Sequence, residues 1–300
     1  MGAPAILRGP VPRPSVLLLA LATLGAVLLA VVAVTAWPTY GDEQAYWGAA
    51  QRLVHGEALY DIDAPSNTPY AYWYPPVLAQ VLAPFTLVVP PEVFTVLWTL
   101  LLVGCVWALA GRNPMVALAC VAFLPVALEL RVRNVHLLIA VFMVLALRRS
   151  WAFWIPATAL KLAPVLGAVY LIAAGRRREA LLVVGVGAIV AGSSFLISPG
   201  AWVDFAGVAV GRGVSDGGTF LPIPYPLRLA LGAGLAAVAG RWSGQRAEVA
   251  LVVAITLASP TLWANAFSQL LAILPLIRTP AGDRGVVGGR ASGDPEVISG

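Results

Sequence analysis

The chain has 300 residues, of which 60% are hydrophobic and 11% charged, with a mean hydropathy of +0.86. A soluble domain carries about 25% charged residues, so this composition excludes one and requires most of the chain to face lipid. The net charge of +5 does not indicate nucleic acid, because the arginines are scattered as clusters beside apolar runs, the pattern that sets membrane orientation. Helices are the expected spanning element, since lipid leaves no partner for open backbone groups and no barrel-like alternation occurs. The chain reads as an all-α, polytopic membrane protein of about ten transmembrane helices, with a long first outer loop that carries short juxtamembrane helices.

The first expected span is 15–37, preceded by Arg8 and Arg13. Its apolar run exceeds a signal-peptide core, and no small-x-small cleavage site is followed by a soluble domain. It therefore reads as an uncleaved anchor with a cytoplasmic N-terminus. Residues 38–90 emerge on the outer side and open with Gly41-Asp42-Glu43. A short amphipathic helix is expected near 43–55, then the aromatic run Tyr70-Ala71-Tyr72-Trp73-Tyr74 and an apolar piece from Pro76 to Val89. That piece is about 14 residues, bracketed by Pro75-Pro76 and Pro90-Pro91, and suits an interfacial helix rather than a crossing.

The remaining expected spans are 92–110, 114–130, 134–148, 150–160, 162–175, 180–198, 221–240, 247–260 and 262–278. Threading them gathers Arg112, Arg148, Arg149, Arg176, Arg177, Arg178, Arg241, Arg246 and Arg278 inside, and leaves Asp42, Glu43, Glu57, Glu92, Glu129 and Asp204 outside. Both Arg148-Arg149 and Arg176-Arg177-Arg178 are then cytoplasmic, yet the stretch between them is too short for two crossings. Two half-length helices of about 11 to 14 residues would each reach ~17 to 21 Å, with Lys161 at their apex. A lysine at that depth needs water, an anion or a carboxylate beside it, so Lys161 is expected to line an outward-facing cavity. Residues 1–279 form one membrane domain, and the Gly-rich stretch 280–300 reads as a disordered cytoplasmic tail.

Asp42 admits two readings. Acids often follow a span simply to face water; alternatively the outer loop, returning through Tyr74-Pro75-Pro76 and a short helix, folds over a site in which Asp42 is a general base. Glu43 is its rival, but on a helix it points about 100° away. Arg131, Arg133, Asn134 and His136 form a second polar group on the outer side. They are either arginines snorkelling at a span end or, with Lys161, a pocket for a phosphate leaving group. His55 and His136 lie in separate segments, so no metal site and no cofactor is expected. Cys105 and Cys120 read as small apolar side chains rather than a disulfide. No glycine-rich phosphate loop occurs, which disfavours a soluble nucleotide-sugar donor.

In this order the motifs resemble those of the C-superfamily membrane glycosyltransferases, and in particular glycosyltransferase family 87. They are Asp42-x-x-x-Tyr46-x-x-Ala49-Ala50 with Gly56-x-x-x-Tyr60, Tyr74-Pro75-Pro76, Asn134-Val135-His136, Lys161-Leu162-x-Pro164 and Ser259-Pro260-x-x-Trp263-x-Asn265. The resemblance implies a polyprenyl-phosphate sugar donor, most often mannose, a glycolipid or glycan acceptor, and inversion at the anomeric carbon. Asp42 matches the catalytic aspartate. Arg131, Arg133, Asn134, His136 and Lys161 become donor-phosphate ligands, and Tyr46, Tyr74 and Asn265 substrate contacts. Arg133 stands where the family's Gly-Gln-x-Asn motif has glycine, and Asn265 where a histidine is common. The resemblance places the enzyme in the bacterial cytoplasmic membrane, among membrane lipids, with its site facing outward. A transporter or lipid-sugar flippase is the competing reading, since it too needs intramembrane charge and broken helices.

Overall fold

A computed structural model describes residues 41–61, 71–214 and 221–278, together with Val16, Ala20, Leu21 and residues 23–25 of a helix ahead of them. Most of the expected first span, 15–37, and the expected tail, 280–300, lie outside the described residues. The described chain is all-helical and contains no strand.

Prolines punctuate it. Pro76, Pro91, Pro114, Pro125 and Pro226 each sit in the first turn of a helix, where a missing N–H costs nothing and the fixed φ is already helical. The expected first loop supplies α1 (Asp42–Val54) and α2 (Pro76–Thr86), which pack against each other. Both agree with the short juxtamembrane helices expected there. Next comes α3 (Pro91–Leu109), long and apolar enough to cross a membrane. One of its faces buries Trp98, Leu102 and Val106; the other exposes Val96, Leu100 and Val103, as a lipid-facing helix should.

The expected span 114–130 is instead two helices, α4 (Pro114–Ala122) and α5 (Leu124–Val132), bent by 87°. Asn113 starts the first, its Oδ1 accepting from Met115 N and Val116 N, a standard N-cap. Phe123 between them is extended, and Pro125 cannot donate back across the break. After α6 (His136–Arg148) comes the hairpin of half-helices. A 3-10 turn, Trp151–Phe153, leads into α7 (Trp154–Leu160), and a second, Ala163–Val165, into α8 (Leu166–Ala173). Lys161 is the extended residue at the apex, where the arginine spacing puts it.

The second full-length apolar helix is α9 (Arg177–Ile197). It is followed by α10 (Pro199–Val214), which sequence reasoning left without a helix. Gly207 and Asp204 interrupt its apolar run, yet Ala201, Phe205 and Val208 still bury one stripe. The chain then forms α11 (Tyr225–Ala239), α12 (Gln245–Leu257), a 3-10 stretch Ala264–Ala272 and α13 (Ile273–Arg278). That 3-10 stretch replaces most of the expected span 262–278 and turns Asn265, Ser268 and Gln269 inward. Two described helices thus have the length and apolarity of a crossing, or three if the α4–α5 pair is one bent span. Among the described residues, the other expected spans are realised as shorter helices.

Candidate active site

The site is built around the first turn of α1. Gly41 precedes it in an extended conformation, and a Cβ there would lie 2.8 Å from Arg133 Nη2 and 3.0 Å from its Nε. A side chain at this position would displace the ends of Glu43 and Arg133, which pass over it. The guanidinium ends on Glu43, with Nε 2.7 Å from Oε1, and the two side chains are 2% and 0% exposed. Thr95 Oγ1 also donates to Glu43, at 3.2 Å. Asp42 and Glu43 therefore separate as their helical angle requires: Glu43 turns to Arg133, and Asp42 to Tyr74 and Asn134.

Asp42 Oδ2 accepts from the Tyr74 hydroxyl at 3.1 Å and, more closely, from Asn134 Nδ2. Both donors converge on one oxygen. Among the described residues none donates to Oδ1, which leaves its lone pairs open to a substrate hydroxyl. Burial raises the Asp42 carboxyl from the usual 3.8 to about 6, against the pull of the Lys161 ammonium. Burial, reinforced by the Asp42 charge, also holds the Tyr74 hydroxyl well above its ordinary range, so it remains a donor.

Beyond Tyr74 a second chain of contacts begins. Lys161 Nζ lies 5.3 Å from the Tyr74 ring centroid, within cation–π range, and 2.7 Å from His136 Nε2. An ammonium only donates, so Nε2 must accept and the ring proton must sit on Nδ1. Nδ1 in turn lies 3.0 Å from Glu129 Oε2. The same carboxylate accepts the His136 backbone N–H at 2.6 Å and Asn265 Nδ2 at 2.8 Å. Glu129, 0% exposed, thus ties α5, the start of α6 and the 3-10 stretch into one unit that fixes the imidazole and, through it, the lysine.

The expected residues are sorted by these distances. Asp42, Tyr74, Asn134, His136, Lys161 and Asn265 come together. Arg133 is placed apart from them, with its guanidinium paired to Glu43 and its side chain buried. Its backbone is left-handed, φ 53 and ψ 43, as the cap of α5, a conformation natural to glycine, which is what the resembled motif carries at this position. Tyr46 lies behind the cluster. It is fully buried, packed edge-on to Tyr74 at 4.8 Å and to Trp98 at 5.2 Å, and so backs the Tyr74 ring. Arg131, half-buried at the end of α5, makes no hydrogen bond or ion pair with the described residues. Glu129 is the residue sequence reasoning missed, taken only as an outer-side acid. An ionisable residue flanked by Val126-Ala127-Leu128 and Leu130 is by itself a functional indication in a membrane segment. No three His, Cys, Asp or Glu side chains converge as a metal site among the described residues.

A family model described as glycosyltransferase family 87 matches residues 72–277. The match takes in Tyr74, Glu129, Asn134, His136, Lys161 and Asn265 and begins after Asp42. No curated protein and no solved structure matches the chain.

Proposed function

The chain belongs to glycosyltransferase family 87, and from that premise we propose that this membrane glycosyltransferase moves a sugar, mannose by preference, from a polyprenyl-phosphate donor to a hydroxyl of a glycolipid or glycan. The transfer takes place at the outer face of the bacterial cytoplasmic membrane. The observation that carries the reading is the Asp42 carboxylate, with Oδ2 held by Tyr74 and Asn134, Oδ1 open, and the Lys161 ammonium across the Tyr74 ring.

In this mechanism Oδ1 takes the proton of the acceptor hydroxyl as its oxygen attacks the anomeric carbon. The bond from that carbon to the phosphate oxygen breaks, and polyprenyl phosphate leaves with the electron pair. Attack opposite the leaving group inverts the centre. Lys161, aimed by His136 and Glu129, meets the charge that develops on the phosphate. Fixed charges placed where charge develops are the most effective form of such stabilisation. Arg131, which makes no hydrogen bond or ion pair with the described residues, supplies a second cation.

The test is transfer of label from radiolabelled polyprenyl-phosphate-mannose in membranes that hold the full chain. Label should pass to a glycolipid or glycan with the wild type and stop with Asp42→Asn at equal protein level. Full activity of that variant removes Asp42 from the mechanism; label carried across the membrane unchanged assigns the chain to the flippase reading instead.

A further inference from the structure

A second charged site lies at the other end of the half-helix hairpin from Lys161. There Trp151, where the hairpin begins, and Arg176, Arg177, Arg178, Glu179 and Leu182, where α9 begins, line a cavity of about 460 Å³. Arg176 is neutralised by Glu179, at 2.6 and 2.5 Å. Arg177 and Arg178 are exposed and make no hydrogen bond or ion pair with the described residues. Three guanidiniums against one carboxylate leave two positive charges on the lining, both unspent.

The depth of the cavity identifies its occupant. At 1.5 Å per residue the 21 residues of α9 span ~31 Å, which matches a hydrocarbon core of ~30 Å. Centring that helix in the bilayer sets its first turn, and with it the cavity, at headgroup level. Immediately beyond, Leu181 is 72% and Val184 54% exposed, an apolar surface on which acyl chains can lie. Trp151 on the opposite wall is a side chain suited to the same interfacial layer. We propose that this cavity binds the headgroup of an anionic phospholipid, its phosphate held by Arg177 and Arg178 and its chains against α9. Basic pockets between membrane helices recognise lipid headgroups in this way.

Native mass spectrometry of the purified full chain tests the proposal, with phosphatidylglycerol and phosphatidylcholine titrated separately. The wild type should retain phosphatidylglycerol in preference. The Arg177→Ala/Arg178→Ala variant should bind it at least about tenfold more weakly with an unchanged melting temperature. Leu182→Trp, which keeps every charge but fills the cavity, should lose the preference as well. Arg241→Ala/Arg246→Ala removes two exposed arginines outside the cavity and should bind as the wild type does. An equal loss in that control overturns the proposal in favour of general surface charge. Equal retention of the two lipids overturns it, and so does displacement of the lipid by millimolar inorganic phosphate, which would make the cavity a free-phosphate site.

Discussion

A carboxyl raised toward pH 6 suits the role of general base proposed for it, because a general base works best when its pKa approaches the working pH. For Asp42, raised by burial to about 6, transfer should rise tenfold per pH unit below that point and level off above it, as a pH–rate profile would record. Removing the base with Asp42→Asn should cost at least about 10²-fold in rate. The same burial acts on stability. Between roughly pH 4 and 6 the folded chain holds a proton that the unfolded chain releases, so stability falls as pH rises through that window. Asp42→Asn should therefore melt higher than the wild type at pH 7.5 and no differently at pH 4; a lower melting point at pH 7.5 would mean the carboxylate is stabilising instead. Arg133 poses the complementary case. Breaking a buried pair from one side costs about 3–5 kcal/mol, while releasing a left-handed non-glycine residue returns about 1–2. Arg133→Gly should thus destabilise through the orphaned Glu43, and Glu43→Gln/Arg133→Gly should recover much of the loss in thermal unfolding. No reading of Arg133 from sequence could separate snorkelling from phosphate binding, because its partner lies 90 positions earlier in the chain.

At the scale of elements, the half-helix hairpin was legible because the two arginine clusters limit how far the chain between them can travel. The α4–α5 bend was not: Ala122-Phe123-Leu124-Pro125 is uniformly apolar, and hydropathy carries no direction. Glu129 lies beyond that bend and meets His136 across the left-handed turn at Arg133, which hydropathy conceals as well. The hairpin has its own constraint at Gly167, where an added Cβ would fall 2.6 Å from Cε2 of the buried Trp154 indole. Trp154 lies on α7, the helix that ends beside Lys161. Gly167→Val should therefore pry α7 from α8, pull the ammonium away from His136 and reduce transfer at least about tenfold, as misplaced catalytic groups do. Gly185→Ala on α9, where nothing lies within 4 Å, should leave transfer unchanged and add up to about 1 kcal/mol of helix propensity. Parallel losses in both variants would show that glycine flexibility, not close packing, is what matters.

For the molecule as a whole, composition was enough to specify a helical membrane protein, but apolar run length alone does not decide which runs cross. A run of 13 to 16 residues meets the hydropathy criterion whether it spans, bends or stops partway, and what decides among these is packing between helices that no single run records. The distribution of charge survives that revision. The Asp42–Lys161 cluster gathers where the loop carrying α1 and α2 folds back, with Glu57 exposed just beyond α1, while Arg177, Arg178 and Arg246 are exposed in the first turns of α9 and α12 and Arg241 in the turn after α11. If positive charge marks the cytoplasmic side, the two sets lie on opposite faces of the membrane. Both native cysteines, Cys105 and Cys120, are buried, so an impermeant maleimide meets little background. In intact cells the Glu57→Cys variant should label and the Ser243→Cys variant, placed beside Arg241, should label only after permeabilisation. The reverse pattern would put Asp42 on the cytoplasmic face and, with it, the donor and acceptor that the site can reach.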